Sequence, residues 1–326
     1  MSERNPSTNR YDVVVVGGGA AGLSGALTLG RARRSVLVVD GGRPRNAPAA
    51  QIHGYLGHDG TPPAELLARG RAEVARYGGQ VIDGDVVTAE ALPGGGFRVV
   101  LDDGRHAEAG RLLVTTGLTD ELPDIPGLAE RWGRDVIHCP YCHGYEVRDE
   151  PIAVLATGPL AARKALLWRQ WSDQVTLFTH TDPAPGAEDL ERLAARDVTV
   201  VEGKVTEVRI TGDRIGGLAL ADGRVIPCRV VAAAPLFTAR AGFLRALGLR
   251  AADVEMGGHV MGRHIPAGPG GATDVPGVWV AGNVTDLMAQ VVGAADGGSR
   301  AAAAINNDII DEEARMAVAR TKKETR

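Results

Sequence analysis

The stretch from Tyr11 to Asp40 constrains the fold more than any other part of the chain. Tyr11 to Val16 is a continuous apolar run, as expected for a central parallel strand buried on both faces. It ends in Gly17-Gly18-Gly19-Ala20-Ala21-Gly22, and a helical pattern follows from Leu23 to about Arg31. A second apolar strand, Ser35 to Val39, ends in Asp40. Each glycine of the G-x-G-x-x-G spacing has a physical task. Gly17 permits the tight turn, Gly19 lets backbone amides reach a pyrophosphate, and Gly22 lets the helix press onto the strand. Asp40 stands about 20 residues on, where a ribose-binding acid belongs. A bare fingerprint of this kind is weak. Set between strand and helix, with an acid closing the next strand, it predicts a dinucleotide site.

The 326 residues suffice for two domains. A helix is predicted from Pro63 to Tyr77, and short strands follow at Gln80 to Ile82, Phe97 to Leu101 and Arg111 to Thr115. Asp102-Asp103-Gly104 reads as a hairpin turn, and Thr115-Thr116-Gly117 closes the segment. A second β-α-β pattern begins at Pro151, with strand Ile152 to Ala156, helix Leu160 to Trp171 and strand Gln174 to Phe178. Further strands are read at Val205 to Ile210, Gly216 to Leu220 and Val225 to Ala233. Near the end come strand Val278 to Ala281, Gly282-Asn283 and a helix from about Gln290 to Ile310. The expected fold is α/β, with two Rossmann-like, doubly wound domains, the second inserted in the first. The expected bounds are 1–117 and 240–326 for the first domain and 118–239 for the insertion.

A formal charge of -4 gives no general attraction to nucleic acid or anionic membrane. No stretch reaches the roughly 18 apolar residues of a membrane span. Met1 to Arg10 is polar and without an apolar core, so it is expected to be a short disordered lead-in rather than a signal peptide. The charged tail Thr321 to Arg326 is read the same way, and the protein as cytoplasmic.

Three cysteines in such a chain exclude a disulfide framework. Cys228 stands alone on a predicted strand and reads as a small buried hydrophobe. The other two lie in His138-Cys139-Pro140-Tyr141-Cys142-His143-Gly144-Tyr145-Glu146. A C-x-x-C at a helix start can close a disulfide across one turn, and the helix end lowers the thiolate pKa of its first cysteine. His143 can hold or deliver a proton near neutral pH, although a surface histidine is the plain alternative. Zinc is the rival chemistry, but it wants four ligands, and no second pair exists here. No metal is expected.

These motifs together resemble low-molecular-weight thioredoxin reductases from about Tyr11 to Asp311. Val278-Trp279-Val280-Ala281-Gly282-Asn283 before a helix near Gln290 resembles the second flavin motif of that group, which implies FAD. Gly282, Asn283 and Gln290, with Gly117, join Gly17, Gly19, Gly22 and Asp40 as expected cofactor residues. Relatives mostly carry Asp where Asn283 stands, and Asp where His143 stands. Those two departures resemble the branch of dithiol oxidases that close the disulfides of gliotoxin, holomycin and romidepsin. A third agrees. Working reductases carry G-x-G-x-x-A in the inserted domain and His-Arg-Arg at its next strand end. Here the positions read Ala156-Thr157-Gly158-Pro159-Leu160-Ala161 and Thr179-His180-Thr181, so NADPH is not expected.

The resemblance implies catalytic residues Cys139, Cys142 and His143, with Cys142 against the flavin and Cys139 outermost. A small-molecule dithiol would be oxidised at the pair, molecular oxygen would reoxidise FAD to give hydrogen peroxide, and the protein would be a homodimer. A thioredoxin-disulfide reductase fed by NADPH or ferredoxin is the alternative. Roles for His53, His58 and His138, and the identity of the dithiol, are not legible.

Overall fold

The computed structural model describes residues 9–324. The lead-in expected at Met1 to Arg10 therefore lies almost wholly outside the described residues, and Arg10 already belongs to a strand.

The first sheet has seven strands. Arg10–Val16 lies at its centre, parallel to Val36–Asp40 on one side and to His106–Val114 on the other. Gln80–Asp83 continues it in parallel beyond Val36–Asp40. The nine-residue strand His106–Val114 serves two neighbours along one edge. Its first half takes the antiparallel Phe97–Leu101, and its second half takes the parallel Val278–Val280. Val13, Val14 and Val15 are fully buried because apolar layers cover both faces, as a central parallel strand requires.

Helix Ala20–Arg31 and the long helix Val291–Glu324 cross on one face of that sheet with their backbones in contact. A Cβ at Gly298 would stand 1.9 Å from the Ala21 carbonyl oxygen. Small residues therefore let the helices meet, and their N-termini converge beside the Gly17–Gly19 loop. The long helix runs on to Glu324, past the expected end at Ile310, so Thr321 to Glu324 are helical rather than a disordered tail. Its last two turns bury no apolar face, which is why periodicity did not extend it.

The chain leaves this sheet through Leu118–Glu121 and returns through Leu236–Ala239, and these two strands pair antiparallel. Between them lies a five-stranded parallel sheet in the order Thr199–Val201, Val175–Phe178, Ile152–Leu155, Val230–Ala232, Val136–Ile137. Helices Ala161–Trp168 and Ala187–Ala194 cover it, and an apolar cluster fills each face. The expected strand Val225 to Ala233 is divided. Val225–Ile226 belongs to a separate three-stranded antiparallel sheet, and Val230–Ala232 to the parallel one. Cys228 thus lies on the connection between them, buried at 3% exposure. Burial pushes its thiol up to about 12, so it is an inert core residue.

Candidate functional site

Gly17 sits at φ +108°, a conformation that favours glycine, and turns the chain off its strand. A Cβ at Gly22 would stand 1.9 Å from the Gly17 carbonyl oxygen, so the helix can seat only on a glycine there. A Cβ at Gly19 would meet nothing within 4 Å, which leaves that backbone open to the cavity. No side chain caps the helix Ala20–Arg31, and its first turn holds no acid. Its free N–H groups are a ready cradle for a pyrophosphate.

One cavity of about 840 Å³ brings the two halves of the site together. Gly17, Gly19, Asp40, Gly117, Gly282, Asn283 and Gln290 line it, and so do Cys139, Cys142 and His143. Gly22 alone among the expected residues lies beneath the wall rather than on it. Asp40 accepts from the Gly18 and Gly42 amides at 3.2 Å each and is ion-paired with Arg71. Arg71 and the close seat of Gly18 against Asp40 escaped the sequence reading, because both depend on contacts between separate elements. Asn283 Nδ2 donates to the Asp286 carbonyl at 3.0 Å and the Ala289 carbonyl at 2.9 Å. That leaves its carbonyl oxygen as the group it can offer a ligand hydroxyl. The cradle of amides, the converging helix ends and the cavity size fit FAD.

The cysteines form a disulfide at the start of a four-residue helix, Pro140–His143, with Cα atoms 5.2 Å apart. Cys139 is its N-cap and Pro140 its first residue, a position where the missing N–H costs nothing. A Cβ at Gly144 would stand 2.8 Å from the Trp171 ring, so the turn is pressed against Trp171. From the other domain, Gln290 Nε2 approaches Cys139 Sγ at 3.8 Å.

His143 is not a surface histidine. Both ring nitrogens are buried and have no hydrogen-bond partner among the described residues. Burial holds its pKa below the ordinary value, against the pull of Glu146 and with a push from His53. Sequence reading left His53 without a role, and it treated Glu146 only as part of the motif. In the fold, His53 Nδ1 lies 3.3 Å from Asp59 and its Nε2 lies 3.4 Å from Glu146. His53 therefore stands between two exposed carboxylates, and both it and Glu146 act on His143 through their charge. His138 is pushed down to about 4, chiefly by burial and then by Lys164 and Arg45, so it stays neutral.

In the inserted domain the second fingerprint is occupied by side chains of this chain, from both domains. The Gly158 amide donates to the Asp182 carboxylate. A Cβ on Gly158 would stand 2.8 Å from the His259 ring, which comes from strand His259–His264. His180 is turned inward, and its Nδ1 accepts the Val205 amide at 3.1 Å.

Fold and site define a two-domain, thioredoxin reductase-like disulfide oxidoreductase of the FAD-binding kind. The chain belongs to the pyridine nucleotide-disulphide oxidoreductase family, which it matches over residues 11–298. It is 35% identical to thioredoxin reductase tcpT of Claviceps purpurea over 232 residues, covering 68% of this chain and 70% of that protein. The crystal structure of HlmI is 44% identical and superposes with a TM-score of 0.88, covering 100% of both chains. An oxidoreductase from Agrobacterium tumefaciens is 38% identical with a TM-score of 0.86, covering 92% of this chain and 99% of that one. Among the described residues no helix is long and apolar enough to cross a membrane.

Proposed function

We propose that the protein is a dithiol oxidase: it closes a disulfide in a small-molecule dithiol at Cys139–Cys142, with oxygen as final acceptor. The observation that carries this reading is the carboxylate of Asp182 on the Gly158 amide. A phosphate would need that N–H and would meet a like charge instead. Pro159 removes a further donor, and His259 covers the turn, so an NADPH-fed reductase is disfavoured on three counts. We assign FAD to residues 1–117 with 240–326, and the cysteine pair to 118–239. We take the working form to be a cytoplasmic homodimer.

One substrate thiolate attacks a sulfur of the enzyme disulfide and forms a mixed disulfide, releasing the other cysteine as thiolate. The second substrate thiolate attacks its own mixed-disulfide sulfur. The product disulfide leaves, and both cysteines are reduced. Two electrons and two protons have then passed from substrate to enzyme. Bound FAD supplies the sink for that electron pair, which ends with two protons on oxygen as hydrogen peroxide. His143, neutral in its buried setting, takes a proton from an incoming thiol. Glu146 favours the protonated ring and His53 opposes it, so the two set how readily His143 gives that proton up again.

Because the His143 pKa is depressed, its basic form persists below the ordinary histidine range and is lost only as pH falls through the lowered value. His143→Asn is expected to lower the rate about a hundredfold and to remove that acid limb. A pH–rate profile unchanged by the substitution would exclude His143 as the base.

Anaerobic mixing tests the reading as a whole. Dithiothreitol is expected to bleach the flavin of the purified holoenzyme, and peroxide is expected when air is admitted. NADPH should leave the flavin yellow. Rapid bleaching by NADPH would instead establish the reductase.

A further inference from the structure

Four cations line this cavity, and three are held by bonds of their own: Arg43 by Asp85, Arg45 by Asp120, and Arg240 by Thr119 and the Arg43 carbonyl; the fourth is Lys164. It lies on helix Ala161–Trp168 with Leu167 and Trp168 three and four residues on, so the three share a face. All three line the cavity that holds the disulfide. The same helix is tied to the redox turn by rings. Trp168 meets Trp171 edge-on at 5.9 Å, and Trp171 meets Tyr141 at 5.6 Å. Lys164 is also close enough to His138, the residue before Cys139, for its charge to help keep that imidazole neutral.

Among the described residues the Lys164 ammonium has no ion pair or hydrogen bond, although the residue is largely withdrawn from water. Nearby acids are engaged elsewhere. Asp120 holds Arg45 at 2.6 Å, and Asp182 holds the Gly158 amide. Glu121 shares with Lys164 the lining of a second cavity of about 410 Å³, yet no ion pair joins them. Burial pushes the ammonium pKa down, with no carboxylate to offset it. An unpaired, half-buried ammonium is costly to fold around, and such groups are kept where a ligand completes them. The amide cradle for FAD lies on the first domain and this helix on the inserted one, so the cofactor's pyrophosphate already has its own partners.

We propose that Lys164 determines substrate specificity, its ammonium binding a carboxylate borne by the dithiol whose sulfurs engage Cys139–Cys142. The inference rests on the dithiol-oxidase reading and narrows it. The substrate is an anionic dithiol, its acid set apart from the sulfurs by a spacer that runs along Leu167 and Trp168.

Dihydrolipoate and dihydrolipoamide test this, since they share one dithiol and differ only in carboxylate against neutral amide. The readout is the ratio of their second-order rate constants for anaerobic flavin bleaching of the holoenzyme. In the wild type the ratio is expected to favour dihydrolipoate at least about tenfold, the worth of one charge-assisted hydrogen bond. Lys164→Met should bring it to about one, and Lys164→Glu should invert it. Flavin content checks that each variant is folded, and Lys164→Gln serves if the methionine variant is not. A wild-type ratio near one, or variants that slow both dithiols equally with the ratio kept, would overturn the proposal while leaving the oxidase reading intact. A flavin that neither dithiol bleaches would overturn both.

Discussion

Cys139→Ser and Cys142→Ser are each expected to lower dithiol-driven flavin bleaching by at least about a thousandfold, and to differ in colour. Thiol–disulfide exchange needs a sulfur to attack and a sulfur to leave, and a serine hydroxyl can do neither. The two cysteines close one turn of the redox helix and share the cavity wall, and no third thiol can substitute. Cys228 is buried in the core of the inserted domain. With Cys142 as the flavin-facing sulfur, Cys139→Ser leaves a thiolate beside the flavin and develops a long-wavelength charge-transfer band. Cys142→Ser develops none. Stopped-flow absorbance reads both quantities in one experiment. If the band appeared in Cys142→Ser and not in Cys139→Ser, the assignments of the two cysteines would be exchanged. The 3.8 Å approach of Gln290 to Cys139 makes that comparison worth running in both variants.

The parts of this molecule that could be read from sequence are those whose cause is local. Val13 to Val16 are buried on both faces, so the central strand announces itself as an unbroken apolar run. The C-x-x-C announces itself by spacing, and its place at a helix start follows from Pro140. What could not be read depends on contacts between distant residues. The paired strands Leu118–Glu121 and Leu236–Ala239 are four residues each, and neither alternates cleanly enough to be found alone. The expected strand Val225 to Ala233 did carry a break signal in Pro227 and Arg229, and the chain changes sheets there. At the site, the departures from the second fingerprint were legible as a missing glycine and missing arginines. Its replacement by Asp182 and His259 was not, because one partner comes from a different domain. The string from Asp59 through His53 to Glu146 is of the same kind, joining a loop of the first domain to the redox segment.

The same distinction between local and distant causes yields the second large effect. Gly19 and Gly22 look equivalent in the fingerprint, but their substitutions should fail for different reasons. A methyl group at Gly22 would stand 1.9 Å from the Gly17 carbonyl oxygen and 2.7 Å from Thr115 Oγ1. Neither neighbour can retreat. The Gly17 carbonyl is fixed by the turn and accepts from Thr115 Oγ1 at 2.8 Å, and Thr115 is buried against the central strand. Gly22→Ala must therefore lift helix Ala20–Arg31 off the sheet and break its contact with the long C-terminal helix. The expected cost is about 3 kcal/mol or more, seen as a melting temperature lowered by roughly 10 °C even without cofactor. At Gly19 a methyl group meets no protein atom within 4 Å, so Gly19→Ala should leave the apoprotein's melting temperature nearly unchanged. Its methyl group instead occupies the space over the amide cradle, and FAD affinity should fall at least about tenfold. Thermal melts of the two apoproteins, followed by FAD titration, separate the effects. Equal destabilisation by both would show that the loop is a structural turn, and that the pyrophosphate does not sit on it.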